Sequence, residues 1–115
     1  MAVISSHALD GTHGTHAAGI AITLVNLRTG LLLFNSQTDN AGRLVETVCS
    51  SDVQLNDRFE LCFELEGYWV SQGVSHTHRI DEIILRFAMP DTNARYHMPI
   101  IFSPNSYSTW SSLPE

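Results

Sequence analysis

Arg95-Tyr96-His97-Met98-Pro99-Ile100-Ile101-Phe102-Ser103-Pro104-Asn105-Ser106-Tyr107-Ser108-Thr109-Trp110 alternates in its first half. Successive side chains of a strand point to opposite faces, so Tyr96, Met98, Ile100 and Phe102 share one face. That face is apolar and reads as core. His97, Pro99, Ile101 and Ser103 share the other, which turns His97 away from the core. Ser103-Pro104-Asn105-Ser106 carries turn chemistry. Tyr107 to Ser111 is rich in Tyr, Thr and Trp and reads as a last strand. The stretch is therefore a hairpin with an imidazole on its non-core face.

Working outward, the same patterning recurs. Phe59-Glu60-Leu61-Cys62-Phe63-Glu64-Leu65 sets Phe and Leu against Glu and Cys, as a strand with one wet face does. Val3–Leu9, Ile20–Leu27, Leu31–Ser36, Leu44–Thr47 and Glu82–Ala88 read as further strands. Polar, Gly-containing stretches at 10–16, 26–30 and 37–43 read as loops or turns. Glu66–Gln72 lacks the alternation and runs into Gly73, so one or two helical turns closed by that glycine are expected. Seven or eight short strands and one small helix in a single domain, residues 1–115, define an all-β sandwich.

The chain has 115 residues, 43% of them hydrophobic and 16% charged. At that size about 65% of the unfolded surface can be buried, enough for one core without staples. The formal net charge of −6 argues against a nucleic-acid partner. No apolar run approaches the roughly 18 residues of a membrane span. The N-terminus lacks the basic and apolar regions of a signal peptide, so a cytoplasmic protein is expected. Cys49 and Cys62 lack metal-like spacing and read as free thiols. His13 and His16, and His76 and His78, are close in sequence, but two ligands do not make a metal site, and none is expected.

The opening hairpin resembles the C-terminal signature of the transthyretin-like proteins, the group holding transthyretin and 5-hydroxyisourate hydrolase. The matching residues are Tyr96-His97, Pro99, Ser103-Pro104 and Tyr107-Ser108-Thr109. Tyr68-Trp69 and Gly73-Val74 match the segment of that family's helix. The resemblance covers nearly the whole chain. It implies two four-stranded sheets with one short helix, a homotetramer built as a dimer of dimers, and a small cyclic substrate without a cofactor.

Three residues gain meaning from it. His7 alone reads as a histidine in a half-buried strand, but His7-Ala8-Leu9-Asp10 resembles the family's H-V-L-D, whose histidine serves the hydrolases. Arg43 alone is a solvated cation, but Thr38, Ala41-Gly42-Arg43 resembles T-x-x-D-G-R, with Ala41 replacing an aspartate. His97 matches a catalytic histidine. The resemblance thus nominates His7, Arg43 and His97 as catalytic, with Tyr107, Ser108, Thr109, Trp110, Ser111 and Ser112 near the substrate. A neutral imidazole can take a proton from water near pH 7. A guanidinium stays charged and offers a planar fork to an oxyanion. No G-x-S-x-G and no reactive cysteine motif supports a covalent route, so direct water attack on a cyclic amide is expected.

The tail departs from the family. The hydrolases continue Y-R-G-S after Y-S-T, whereas this chain has Trp110, Ser111, Ser112 and Leu113. Three readings follow: a 5-hydroxyisourate hydrolase with an altered tail and altered substrate choice; a diverged biosynthetic enzyme doing hydrolysis, isomerisation, elimination or cyclisation on another cyclic carbonyl compound; and a non-catalytic ligand carrier like transthyretin.

Overall fold

A computed structural model describes residues 1–75 and 77–114. The expected all-β sandwich is present. In chain order the strands are β1 (Ala2–Asp10), β2 (Thr15–His16), β3 (Ala21–Asn26), β4 (Leu32–Gln37), β5 (Arg43–Val48) and β6 (Arg58–Glu64). Helix α1 (Glu66–Ser71) precedes β7 (Glu82–Ala88), β8 (Arg95–His97), β9 (Ile100–Ser103) and β10 (Ser106–Thr109).

One sheet has the order β4-β3-β6-β7, all antiparallel. The other is organised around β1. On one side β1 pairs antiparallel with β5 and, further along, with the two-residue β2. On the other side it pairs in parallel with β8 and then β9, and β10 closes that edge. β8 and β9 form one lane broken at Met98-Pro99, because a proline has no N–H to give to a ladder. The Met98 N–H donates to the Ser5 carbonyl at 2.8 Å, and the Ser6 hydroxyl donates to the Met98 carbonyl at 2.7 Å. The six segments thus make four lanes, facing the four strands of the second sheet.

Alternation decides the faces. Ala2, Ile4, Ser6, Ala8 and Asp10 of β1 are buried toward the core, and Tyr96, Met98, Ile100 and Phe102 join them. Phe59, Leu61 and Phe63 answer from β6. The helix contributes Tyr68 and the fully buried Trp69, whose rings meet Phe102 edge-on at centroid distances of 5.5 and 5.4 Å. Burying an aromatic side chain of this kind stabilises the fold by about 1.5–3 kcal/mol. Gly73 closes the helix at φ 72°. The last strand ends at Thr109, short of the expected Ser111. Residues 110–113 leave the sheet and bend toward β7 and β8, where Ser111, Ser112 and Leu113 border the same hollow as Phe87 and His97. Among the described residues no helix is long and apolar enough to cross a membrane.

Candidate active site

The outer face of the β1 sheet carries the polar groups singled out from the sequence. Val3, Ser5, His7 and Leu9 point outward from β1 by parity. In the β1–β5 ladder His7 stands directly opposite Arg43, and in the β1–β8 ladder Ser5 stands opposite His97. Three separate strands thus deliver His7, Arg43 and His97 to one surface.

His97 is half-buried, and its Nδ1 lies 2.8 Å from the hydroxyl of Ser5, which is only 4% exposed. This hydroxyl fixes the ring's rotation.

Arg43 is set by the turn before it. Asp39 Oδ1 accepts from the backbone N–H groups of Ala41 and Arg43, both at 2.9 Å. These bonds, with the nearby charges of Arg43 and His7, hold the Asp39 carboxyl below its usual range. Asp39 therefore organises a turn in which Ala41 stands where the family often has an aspartate. Gly42 lies at φ 74°, and a Cβ there would sit 2.6 Å from the Ala8 carbonyl oxygen and 3.3 Å from His16 Cβ. Only glycine lets the turn press this closely on β1. Arg43 itself is exposed, and its guanidinium makes no hydrogen bond or ion pair among the described residues.

Because the turn is pressed in, the Ala41 carbonyl lies 3.1 Å from His7 Nε2. The same nitrogen lies 2.9 Å from Nδ1 of His16, and the two rings stack at 5.0 Å with 30° between their planes. Burial and the Arg43 charge lower the His7 pKa from its ordinary 6.5, with smaller effects of His16 and His97; the Ala41 carbonyl opposes them. His7 is held neutral near pH 7.

His16 is the residue that sequence reasoning missed. Paired in thought with His13, it belongs instead with His7. His13 turns the other way, its Nδ1 donating to the buried carboxylate of Asp10 at 2.7 Å. Of the second pair, His76 lies outside the described residues. One acidic group on the other sheet, Cys62, Glu64 and Glu82, has ligand atoms close together. Burial and the neighbouring carboxylates push the Cys62 thiol up to about 11, which favours the protonated form, a poor metal ligand.

Two hollows flank the polar face. One of about 340 Å³ is bordered by Phe87, Tyr96, His97 and the tail residues Ser111, Ser112 and Leu113. The other, about 530 Å³, is bordered by Leu9, Gly11, Thr15, His16 and Ile101. Tyr107, Ser108 and Thr109 run along the exposed edge strand β10, with the Thr109 hydroxyl donating to the Pro99 carbonyl at 2.8 Å. Trp110 is 55% exposed and borders a third hollow with Arg86 and Phe87.

The β-sandwich presents two imidazoles and a guanidinium on one sheet face, the residues that the resemblance nominated. The chain belongs to the HIUase/Transthyretin family, which it matches over residues 4–111. It is 32% identical to the 5-hydroxyisourate hydrolase of Ralstonia nicotianae over 96% of this chain and 97% of that one. It is 30% identical to that of Halalkalibacterium halodurans, covering 93% and 94% of the two chains. Among solved structures it superposes on (S)-allantoin synthase with TM-score 0.83 and 26% identity, over 97% of this chain and 44% of that one. The fold also matches Klebsiella pneumoniae 5-hydroxyisourate hydrolase, with TM-score 0.78 over 96% and 99% of the chains at 24% identity.

Proposed function

We propose that this protein is a hydrolase that opens a small cyclic amide, 5-hydroxyisourate or a close analogue, by direct attack of water. The observation that carries the reading is the convergence of His7, Arg43 and His97 on one sheet face in a chain about 30% identical to 5-hydroxyisourate hydrolases along its length. His7, kept neutral, takes a proton from water. The water oxygen bonds to the ring carbonyl carbon while Arg43 stabilises the oxyanion. His97, held by Ser5, gives a proton to the ring nitrogen as the C–N bond breaks. A general base of this kind is worth about 10²–10⁴ in rate. In one chain Arg43 is exposed and His7 and His97 are half-buried, with the exposed apolar Val45 and Ile101 on the same face. A second copy covering that face would complete the site, in keeping with a homotetramer.

The test is ring opening of freshly made 5-hydroxyisourate, followed by absorbance. Ring opening well above the spontaneous rate supports the reading. A rate equal to the spontaneous one, with the protein folded and assembled, would refute it in favour of a carrier or of another cyclic substrate.

A further inference from the structure

We infer that His16 is a positioning residue for His7: it fixes the tautomer and the ring orientation that leave the His7 Nδ1 lone pair to act as the base. That role rests on the hydrolytic reading of this face, in which His7 takes a proton from water. A carbonyl oxygen only accepts, so the 3.1 Å contact with Ala41 places a hydrogen on His7 Nε2. His16 Nδ1, 2.9 Å from the same nitrogen, is then the lone-pair atom and a second acceptor of that hydrogen. The N–H and the lone pair of an imidazole both lie in its ring plane. The two planes are 30° apart, and the nitrogens are much closer than the ring centroids at 5.0 Å, so the bond runs from ring edge to ring edge. With the Nε2 hydrogen shared between two acceptors, the lone pair of neutral His7 stays on Nδ1. The hydrogen bond at one ring nitrogen decides what the other can do.

The backbone holds both acceptors in place. The Ala8 N–H, one residue after His7, donates to the Gly42 carbonyl at 2.7 Å, and the Ala8 carbonyl accepts from the Ala17 N–H at 2.9 Å. The turn that carries Ala41 and the strand that carries His16 are therefore both fastened to the residue beside His7. The loop leading to His16 is fixed by the buried Asp10 carboxylate. It accepts from the N–H groups of Thr12 and His13 at 2.8 and 3.0 Å and from the Tyr68 hydroxyl at 2.6 Å. When His7 Nδ1 gains a proton, the Nε2 bonds to Ala41 and His16 become charge-assisted and strengthen. A second acceptor matters most at that moment, because the Arg43 and His97 charges oppose a positive His7. Only neutral His16 supplies it: protonated on Nδ1, it would face the Nε2 hydrogen as a second donor and oppose the His7 charge. The hydrogen stays on His7 Nε2 throughout. His16 thus aids the reaction without touching substrate, as the carboxylate of a hydrolytic triad does behind its histidine.

The experiment reads a tautomer and a rate in the whole assembled protein. Ring ¹⁵N shifts of neutral His7 are recorded in the parent, in His16→Ala and in His16→Asn. kcat and KM for opening 5-hydroxyisourate are measured in the same three, and in His7→Ala with and without His16→Ala. An Asn side chain keeps an acceptor near the Nδ1 position of the lost ring. In the parent, His7 should carry its hydrogen on Nε2 and none on Nδ1. kcat should fall about 10- to 100-fold in His16→Ala with KM near the parent value, the worth of one hydrogen bond to a group that becomes charged in the transition state. His16→Asn should recover most of that loss. In the His7→Ala background, His16→Ala should make no further difference, since groups that act as a unit are lost together. A parent His7 with its hydrogen on Nδ1 would overturn the tautomer. His16→Ala at the parental kcat, or His16→Asn as slow as His16→Ala, would overturn the positioning. So would a loss that persists once His7 is gone, because His16 would then act by another route. The shifts need no substrate, so a parent that holds the Nε2 tautomer yet opens no 5-hydroxyisourate would count against the hydrolase reading alone.

Discussion

His7 on β1 and Arg43 on β5 are direct cross-strand partners, so the group read as base and the group read as oxyanion holder are fixed by one ladder register. A one-residue slip would throw both to the other face. The pairing also has an electrical consequence. After burial, Arg43 is the next largest influence lowering the His7 pKa. Arg43→Met should let that pKa rise toward 6.5. The base form would then be lost at higher pH, and the acid limb of the kcat/KM profile should move upward. The rate itself should fall about 10²- to 10³-fold with the loss of one oxyanion donor. Stability should change by no more than about 0.5 kcal/mol, since the side chain is exposed. An acid limb that stays in place would disconnect Arg43 from His7.

Ser5 should matter through His97. Its hydroxyl is the partner of His97 Nδ1 at 2.8 Å. Ser5→Ala removes that anchor at a cost of about 1 kcal/mol in stability. A freed ring samples unproductive orientations, so kcat should drop about tenfold with little change in KM. Steady-state kinetics beside thermal unfolding check this. A variant with parental kcat would show that the ring is held by something else.

Gly42 should tolerate no side chain. In Gly42→Ala the new Cβ would meet backbone at 2.6 Å and the residue would keep φ 74°. Strain of this kind costs about 1–3 kcal/mol, and the turn must back away from Ala8 and His16. A lower Tm together with a rate loss larger than the unfolded fraction explains is expected. Unchanged stability would mean that the turn is not pressed on β1 in solution.

How much of this was legible beforehand depends on the range of the interactions. Alternation placed His97 outside the core and found Phe59–Leu65 and the C-terminal hairpin, because period-2 patterning is local. Gly73 marked the helix end for the same reason. The resemblance supplied His7 and Arg43. His16 was out of reach: β2 is two residues long, with no periodicity to read, and its meeting with His7 depends on the Leu9–His16 register. Ser5 was equally hidden, since a serine in a strand gives no sign that an imidazole 92 residues away will settle on it. The break at Pro99 could have been suspected from its missing N–H, but Trp110–Leu113, which borders the hollows beside β7 and β8, has no local pattern to read.

From that route we propose that the tail is a determinant of substrate. Ser111, Ser112 and Leu113 border the hollow beside His97, and Trp110 borders another with Arg86 and Phe87. Where other hydrolases of the family have Y-R-G-S, this chain offers apolar bulk and no cation. One charge-assisted hydrogen bond is worth about 1.5–3 kcal/mol, or roughly ten- to a hundredfold in rate. Opening of 5-hydroxyisourate should therefore be slower than in ordinary members. The fourfold change Trp110→Tyr, Ser111→Arg, Ser112→Gly and Leu113→Ser should raise it by that factor. A well-assembled fourfold variant with no gain would show that the tail does not set the choice.

The claim that His7 and His97 act as one unit on a single transition state has a direct test in a double-mutant cycle on ring opening. kcat/KM is measured for the parent, His7→Ala, His97→Ala and the double variant, with assembly checked for each. Each single change should cost about 10²–10⁴, and the double variant should be little slower than the worse single one, because groups that act together are lost together. Single variants near the parental rate, or losses that multiply in the double variant, would contradict the account.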